Sequence, residues 1–387
     1  MPITYPYIQY GGIWTTSQAT DAVASGTWAV PPTPKLYAWG QNNYGQLGLG
    51  STTAYSSPKQ VGTLTTWLTV SSGLYFAAAI KSDGTLWMWG RNNQGQLGLG
   101  NTTSYSSPKQ VGALTNWSKI STEFSSAATP FTVAIKTDGT LWSWGYNAQG
   151  QLGLGNQTYY SSPKQIGVLT NWLTLSNQYN HVISVKTDGT LWGWGGNAQG
   201  QLGLNNRTNY SSPKQIGALN NWSVATAATN ATLAIQTNGT LWAWGFSSFG
   251  QLGRGGNGKY SSPVQVGSLT NWLNITSSRY SMLATKTDGT LWSWGFNSFG
   301  QLGLGNTTNY SSPKQVGSLT NWSTISGGRY VFASIKPDGT LWMWGNNTQG
   351  QLGFGNTTYY SSPKQVGSLT SWLNISANYG TLGIAKT

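Results

Sequence analysis

The chain has 387 residues, of which only 7% are charged, and a formal net charge of +13 at pH 7. It contains no cysteine and a single histidine, which excludes disulfides, thiol chemistry and a Cys/His zinc site. Seven acidic residues in the whole chain also leave little material for acid–base catalysis, so the composition favours binding over chemistry.

The first 33 residues carry one charge, Asp21, and no lysine or arginine. They have no basic start and no continuous apolar core, so we do not expect a secretory signal. Disordered tails are usually richer in charge and poorer in aromatic residues. We therefore interpret residues 1–33 as an aromatic, nearly uncharged arm that docks on a partner or a neighbouring copy, or folds on the rest of its own chain. The side chains expected to anchor it are Tyr5, Tyr7, Tyr10 and Trp14.

Residues 34–387 repeat one sequence seven times, at intervals of about fifty residues. The landmark dipeptide Trp-Gly ends at Gly40, Gly90, Gly145, Gly195, Gly245, Gly295 and Gly345. Each copy continues with Gly-Gln-Leu-Gly and then with Tyr-Ser-Ser-Pro. A period of this length is typical of stacked or radial repeats, so we expect one body made of seven units.

Each unit is predicted to form four β-strands. In "VAIKTDGTLWSWG", Val133 to Gly145, two short runs flank Asp138-Gly139, a dipeptide that favours a two-residue hairpin turn. Two further runs, such as "NWLNIT" and "PKQVG", complete the unit, and no segment shows a sustained helical period. Seven four-stranded units predict an all-β, seven-bladed β-propeller, with the repeated tryptophans as wedges between blades. A linear β-solenoid is the alternative architecture.

The two ends of the repeat region complement each other. Leu382 to Thr387 align with Phe332 to Pro337, the first strand of a hairpin, whereas Lys35 to Gly40 match Thr85 to Gly90, the second strand. We therefore predict that strands from the N- and C-terminal ends pair in one blade and close the ring.

The repeat "DGTLWxWGxNxxGQLGLGxxTxxSSPxQVG" resembles that of the regulator of chromosome condensation family, whose members form seven-bladed propellers. The resemblance covers residues 34–387. It implies the fold but no single function, because this family uses the repeat in exchange factors, enzyme inhibitors and photoreceptors.

Catalytic, metal and cofactor sites are not expected. Five of the seven acidic residues occupy hairpin turns: Asp83, Asp138, Asp188, Asp288 and Asp338. Only Asp21 and Glu123 remain, so no carboxylate pair can be proposed. The repeated Gly-x-x-Gly-x-Gly has the spacing of a dinucleotide fingerprint in reverse, and no predicted helix follows it, so we interpret it as turn geometry.

A binding surface is predicted where the repeats differ from one another. One variable set precedes the first strand of each hairpin, and a second follows Trp-Gly. Hairpin geometry should place both sets on the rim opposite the Asp-Gly turns. The alternative is neutral drift in solvent-facing loops. The candidate residues, of types enriched at binding interfaces together with the single histidine, are Arg91, Tyr146, Tyr179, His181, Phe246, Arg279, Tyr280, Phe296, Arg329, Tyr330 and Tyr379.

Lysine also recurs at fixed repeat positions. Six lysines follow Tyr-Ser-Ser-Pro: Lys59, Lys109, Lys164, Lys214, Lys314 and Lys364. Six more precede the turns: Lys81, Lys136, Lys186, Lys286, Lys336 and Lys386. We expect a diffuse basic ring, which serves either solubility and edge protection or attraction to an anionic surface such as a polysaccharide. No basic arm or helix favours specific recognition of DNA.

The sequence as a whole favours a non-catalytic protein-binding or assembly module. Low charge, abundant Gly, Ser, Thr, Asn and Trp, and the aromatic arm resemble bacteriophage virion components, namely tail-fibre, receptor-binding and capsid-decoration proteins. That interpretation predicts a partner in a virion or extracellular surface assembly, and no membrane insertion. The alternatives are a cytoplasmic regulator with nucleotide-exchange or chromatin-binding activity, like the family's founder, or an enzyme inhibitor.

Overall fold

A computed structural model describes residues 32–122 and 128–387. These residues form 28 strands arranged as seven four-stranded antiparallel sheets, and no helix occurs within the described ranges. The predicted seven-bladed β-propeller is thereby confirmed.

Six blades each use four consecutive strands. Blade 1 contains β3 (Trp67–Ser72), β4 (Phe76–Lys81), β5 (Leu86–Gly90) and β6 (Tyr105–Gln110). Blade 2 contains β7 (Trp117–Thr122), β8 (Phe131–Lys136), β9 (Leu141–Gly145) and β10 (Tyr160–Gln165). Blade 3 contains β11 (Ser176–Gln178), β12 (His181–Val185), β13 (Leu191–Gly195) and β14 (Tyr210–Gln215).

The remaining blades follow the same plan, except for the last. Blade 4 contains β15 (Trp222–Ala228), β16 (Ala231–Gln236), β17 (Leu241–Ser247) and β18 (Gly258–Gln265). Blade 5 contains β19 (Trp272–Ser277), β20 (Ser281–Lys286), β21 (Leu291–Gly295) and β22 (Tyr310–Gln315). Blade 6 contains β23 (Thr324–Gly328), β24 (Val331–Ile335), β25 (Leu341–Gly345) and β26 (Tyr360–Gln365). Blade 7 joins β27 (Trp372–Ser376) and β28 (Gly380–Lys386) to β1 (Pro34–Gly40) and β2 (Tyr55–Thr65).

Blade 7 closes the ring as predicted. β1 and β28 pair along their whole length, from Pro34 opposite Lys386 to Gly40 opposite Gly380. The two strands are far apart in the chain, so hydrogen bonds and packing alone hold them together, whereas a hairpin turn connects the equivalent strands in the other blades.

The Asp-Gly turns are built from local side-chain chemistry. In blade 1 the carboxylate of Asp83 accepts hydrogen bonds from the backbone N–H and the hydroxyl of Thr85, at 2.9 and 2.6 Å. Gly84 has φ of +77°, which glycine adopts at little cost. The hydrogen bonds from Thr85 hold the pKa of Asp83 below its usual value. Asn238 performs the same role in blade 4, since its side-chain oxygen accepts hydrogen bonds from Thr240.

The tryptophan of Trp-Gly joins each blade to the preceding unit. Trp89 is fully buried, and its indole N–H donates to the carbonyl of Gln46, at 2.9 Å. A Cβ atom at Gly48 would lie 2.8 Å from that indole nitrogen, so only glycine lets the loop approach so closely. The same bond recurs at every interface, including the closing one, from Trp39, Trp144, Trp194, Trp244, Trp294 and Trp344. The core therefore lies between blades, and the predicted wedge role is confirmed.

The innermost strands contact one another in a closed circle, β3–β7–β11–β15–β19–β23–β27 and back to β3. Where these strands end, opposite the Asp-Gly turns, buried polar side chains cross the axis. Gln178 of blade 3 accepts a hydrogen bond from Ser277 of blade 5, at 3.1 Å, and Asn378 of blade 7 donates to the carbonyls of Ser72 and Gly73, at 3.0 and 2.8 Å. All of these side chains are buried, so this end of the axis is filled with a hydrogen-bonded network.

Candidate binding face

Both variable sets lie together at the end of each blade opposite its Asp-Gly turn. On every blade the residue after Trp-Gly donates its backbone N–H to a carbonyl of the residue pair that precedes the hairpin. The donor–acceptor pairs are Gln41–Tyr379, Arg91–Tyr75, Tyr146–Pro130, Gly196–Asn180, Phe246–Asn230, Phe296–Tyr280 and Asn346–Tyr330, at 2.7 to 3.0 Å. The predicted adjacency of the two sets is confirmed, and we call this surface the variable face.

Two arginines on the variable face are stacked among tyrosines of neighbouring blades. The guanidinium of Arg279 lies 5.1 Å from the ring centre of Tyr280 and donates to the hydroxyl of Tyr330, at 3.1 Å. Arg329 lies 5.9 Å from the ring centre of Tyr330 and 5.3 Å from that of Tyr379. These contacts connect blades 5, 6 and 7 and hold each guanidinium against aromatic rings.

Phenylalanines extend the same group of side chains. Phe296 lies 5.6 Å from Tyr330 and 4.9 Å from Phe249, and Phe299 lies 4.9 Å from Tyr330 and 5.6 Å from Tyr359, measured between ring centres. The aromatic–arginine cluster is defined as Phe249, Arg279, Tyr280, Phe296, Phe299, Arg329, Tyr330, Tyr359 and Tyr379. Sequence reasoning missed Phe249, Phe299 and Tyr359. For the two phenylalanines a signal existed, because the residue before Gly-Gln is Gln in four repeats and aromatic in the other three.

The electrostatics of the cluster favour a partner that accepts hydrogen bonds. Burial acts to lower the pKa of Arg279, but the hydroxyls of Tyr330 and Tyr280 outweigh it and raise that pKa. Burial likewise raises the pKa of Tyr379, against the opposing charge of Arg329. Arg279 is therefore charged and Tyr379 neutral at neutral pH. The Nε atoms of Arg279 and Arg329 are buried and find no hydrogen-bond partner among the residues described.

Smaller groups occupy other parts of the variable face. Arg91 lies 5.1 Å from the ring centre of Tyr44 and 5.9 Å from that of Tyr75. Tyr146 stacks on Tyr159, with ring centres 4.8 Å apart. In blade 4, Lys259 lies over the ring of Phe246. Two rim residues, Tyr179 and Tyr330, have φ of +59° and +64°, a conformation that side-chain-bearing residues adopt only when their surroundings impose it.

His181 does not belong to this surface. Its ring is fully buried, and Nε2 lies 3.1 Å from the hydroxyl of Thr232 in the next blade. Burial lowers its pKa to about 4, so the ring is neutral at neutral pH. A ligand at the variable face cannot contact it, and its inclusion among the binding candidates is not supported by its position.

Ten of the twelve regularly spaced lysines divide into two kinds instead of forming one ring, and the other two, Lys81 and Lys386, are partly exposed and exposed. The six that follow Tyr-Ser-Ser-Pro are exposed on the outer strands, each with its ammonium 4.3 to 5.7 Å from the preceding tyrosine ring: Lys59, Lys109, Lys164, Lys214, Lys314 and Lys364. Four of those before the turns are buried between indoles instead: Lys136, Lys186, Lys286 and Lys336.

Lys136 illustrates the buried kind. Its ammonium lies 3.7 Å from the ring centre of Trp142 and 5.0 Å from that of Trp117, and burial lowers its pKa. Only 6% of the residue is exposed, so it adds nothing to a surface potential that a ligand could reach in contact. The prediction of one diffuse ring was therefore wrong for these four lysines, because flanking tryptophans cover them.

Several predictions fall outside the described residues. Tyr5, Tyr7, Tyr10, Trp14, Asp21 and Glu123 all lie there, so the anchoring role of the arm and its boundary at residue 33 stay predictions. Within residues 32–122 and 128–387, no group of three or more His, Cys, Asp or Glu could hold a metal ion. The same part of the chain contains no helix long and apolar enough to cross a membrane.

The molecule is thus a propeller of seven closely similar units with one variable, aromatic- and arginine-rich face. The model of the regulator of chromosome condensation (RCC1) repeat matches seven segments, 35–80, 83–122, 138–185, 188–235, 238–284, 288–334 and 338–384. The chain belongs to the RCC1 repeat family.

Among curated proteins, the chain is similar to the X-linked retinitis pigmentosa GTPase regulator of two mammals. It is 32% identical to the protein of Canis lupus familiaris over 147 residues, which are 35% of this chain and 13% of that protein. The human protein is 32% identical over 154 residues, 36% of this chain and 14% of its own length. The similarity therefore spans only a small part of those relatives.

The solved structures named next are 20% identical to the chain or less, so they show the fold alone. Human WBSCR16 matches with a TM-score of 0.80 and 20% identity, over 92% of this chain and 99% of that one. Yeast RCC1 (Prp20), in a structure bound to Kap60, matches with a TM-score of 0.78 and 17% identity, over 93% and 90%. Prp20p of Saccharomyces cerevisiae, studied for its binding to Gsp1p and histones, matches with a TM-score of 0.78 and 18% identity, over 92% of each chain.

Proposed function

We propose that this protein is a non-catalytic regulatory module that binds a partner protein through its variable face. The observation that carries the proposal is the pair Arg279 and Arg329, each stacked on tyrosines and each with a buried Nε that has no partner within the described residues. Buried polar groups without partners are costly, and a partner that supplied acceptors would remove that cost. Arginine and tyrosine are also the residue types that dominate binding energy at protein interfaces.

The charge of the face indicates the chemistry of the partner. The acidic residues that the structure describes are the five turn aspartates, and these lie at the opposite end of the blades. The variable face is therefore cationic over the described residues, and it suits carboxylates or the backbone carbonyls of an acidic protein. A basic partner such as a histone fits this chain poorly, because its formal net charge is +13.

The named relatives support a regulatory role over an assembly role. One group of relatives regulates a GTPase by name, and Prp20p is described by its binding to Gsp1p and histones. By analogy, we propose that this chain binds a GTPase or an acidic protein. Nucleotide exchange that requires a carboxylate is disfavoured, since the described variable face offers none.

A place in a bacteriophage virion or an extracellular surface assembly is a second candidate, which rests on composition alone. Low charge together with abundant glycine and tryptophan motivates it, and none of the relatives named above is a virion protein. Immuno-electron microscopy of native source material would distinguish the candidates. Labelled particles would favour assembly, and label confined to the cytoplasm would favour regulation.

Site-specific photocrosslinking tests the regulatory proposal. A photoreactive residue at Phe299 on the variable face should capture a defined partner in native extract, whereas one at Val168, 86% exposed beside the Asp-Gly turns, should not. Replacing Arg279 and Arg329 by Gln should abolish capture at Phe299 while leaving the thermal unfolding midpoint within a few degrees. Equal capture from both faces would refute the role of the variable face. Capture that is unchanged after replacement of both arginines would refute it as well.

A further inference from the structure

The end of the propeller that carries the Asp-Gly turns, here called the turn face, is lined with exposed leucines. One set lies three residues before a buried tryptophan, Trp67 or its counterpart in the next five units, and is 40 to 49% exposed: Leu64, Leu114, Leu169, Leu219, Leu269 and Leu319. In six of the seven units the residue directly after this leucine position packs against a turn glycine, as Thr115 does against Gly84. This contact places the set beside the turns. A second set directly follows this tryptophan position: Leu68, Leu173, Leu273 and Leu373. Large apolar side chains grouped on an exposed surface mark interaction sites, whereas single ones are ordinary.

Residues 1–31 join the propeller on this same face. β1 begins at Pro34, opposite Lys386, and runs toward Gly40 at the variable face. In blade 7 the start of β1 therefore occupies the place of an Asp-Gly turn. Three exposed leucines surround this point. Leu64 precedes Thr65, the partner of Lys35, and Leu373 follows Trp372, the partner of Ala385. Leu68 follows Trp67, the first residue of β3 in the neighbouring blade.

A groove opens beside the point where residues 1–31 join. It has a volume of about 530 Å³ and is lined by Tyr37 of β1 together with Phe354, Leu369 and Trp372. Corresponding grooves beside Trp322 and Trp117 measure about 310 and 390 Å³. The indole N–H of Trp372, like that of the equivalent tryptophan in five other units, is buried and has no hydrogen-bond partner in the described structure, whereas that of Trp67 donates to the carbonyl of Leu64 at 2.9 Å.

We propose that residues 1–31 dock on the turn face of their own chain, over Leu64, Leu68 and Leu373 and into the groove beside Trp372. The composition of the segment matches this surface: one charge, no lysine or arginine, and the aromatic residues Tyr5, Tyr7, Tyr10 and Trp14. Its length suffices, because 31 extended residues reach about 100 Å. Covering these leucines removes apolar surface from water on both partners. This inference concerns the face opposite the proposed partner site and does not depend on it.

The absence of cysteine from the chain allows a clean test in the full-length protein. A polarity-sensitive fluorophore on Ser17→Cys should emit at short wavelength and be protected from iodide quenching. Replacing Leu64, Leu68 and Leu373 by Gln should shift emission to the red and remove the protection. The matched control replaces Leu169, Leu173 and Leu273 by Gln, which are the same repeat positions in units distant from blade 7, and should leave both readings unchanged. Melting curves of all variants confirm that the propeller is folded.

Three results would overturn the proposal. A fluorophore fully open to iodide in the otherwise unaltered chain would show that the segment is not docked. Equal loss of protection in the control variant and in the variant of Leu64, Leu68 and Leu373 would mean that these three leucines are not the docking site. If protection of the fluorophore from iodide disappears on dilution, the segment docks on a second copy of the protein, and docking within one chain is wrong.

Discussion

Truncating the tryptophan at the closing interface, Trp39→Ala, should open the ring at blade 7 before the rest of the molecule unfolds. Trp39 is fully buried, packs edge-on against Trp372 with ring centres 5.8 Å apart, and donates to the carbonyl of Gln351 at 2.9 Å. Removing a buried aromatic side chain and leaving its cavity costs about 3–5 kcal/mol. The orphaned carbonyl adds about 1 kcal/mol or more. That loss is a large part of the roughly 5–15 kcal/mol by which folded domains are stable.

Trp194→Ala is the matched control. Trp194 is equally buried, packs against Trp172 at 5.8 Å and donates to Gln151 at 3.1 Å, so its local loss should be the same. The difference is covalent. The Asp188-Gly189 hairpin ties β12 to β13, whereas β1 and β28 are held together by pairing alone.

Native-state hydrogen exchange, read by mass spectrometry, measures the difference. In Trp39→Ala, the amides of residues 34–40 and 380–386 should exchange much faster than those of blades 2 to 5. In Trp194→Ala, the corresponding strands of blade 3 should exchange no faster than the molecule as a whole. If the two variants show the same exchange pattern, pairing of the two ends is not the weak point of the ring and the reasoning fails.

Three further predictions concern the termini, the lysines and the histidine. Deleting Leu382 to Thr387 should lower the thermal midpoint or cause aggregation, because Leu382, Ile384 and Ala385 are buried and β1 would lose its partner; an unchanged, monomeric melt would contradict this. Replacing Lys109, Lys214 and Lys314 by Gln should weaken retention on a heparin column without changing the melting curve. Retention should fall steeply with salt, since screening acts over about 10 Å at 0.1 M. Salt-independent retention would indicate that these lysines serve solubility alone. His181 is buried, and burial lowers its folded pKa to about 4, below its ordinary 6.5. The free energy of unfolding held above pH 6.5 should therefore decline by about 3 kcal/mol as pH falls toward 4. In urea titrations His181→Gln should abolish this pH dependence, and a slope unchanged in the variant would contradict burial of the neutral ring.

The sequence was sufficient for those parts of the fold that depend on neighbours along the chain. Asp138-Gly139 specifies its hairpin through local turn chemistry, and alternation places Trp142 and Trp144 on one side of their strand. Closure by β1 and β28 was also predictable, because each strand has a complete counterpart in the other repeats. The adjacency of the two variable sets followed from hairpin geometry.

Features that need an assembled blade or the closed ring could not be predicted in this way. Gln178 and Ser277 are 99 positions apart and meet only because blades 3 and 5 both reach the axis. Lys109 and Lys136 both recur at fixed repeat positions, yet one is exposed and the other is covered by Trp117 and Trp142, which the flanking strands of its own blade bring to it. His181 shares a chain segment with the variable rim, but its side chain points into the interface with the next blade, toward Thr232. A repeat pattern fixes which residues correspond, whereas burial depends on which strands and which blades become neighbours.

The same hydrogen bond from a tryptophan indole to a glutamine carbonyl occurs at all seven interfaces, so the blades present equivalent surfaces to one another. Pro34 and Lys386 already lie opposite each other where the other blades have an Asp-Gly turn. A circular permutant joined there by Asp-Gly and opened at the Asp188-Gly189 turn would keep every interblade bond and only move the seam from blade 7 to blade 3. The same equivalence gives gene duplication an easy path, because a copied blade presents compatible surfaces to both of its neighbours. The number of blades is then set by the angle at which the ring closes, and the variable face can diversify one blade at a time without disturbing the core.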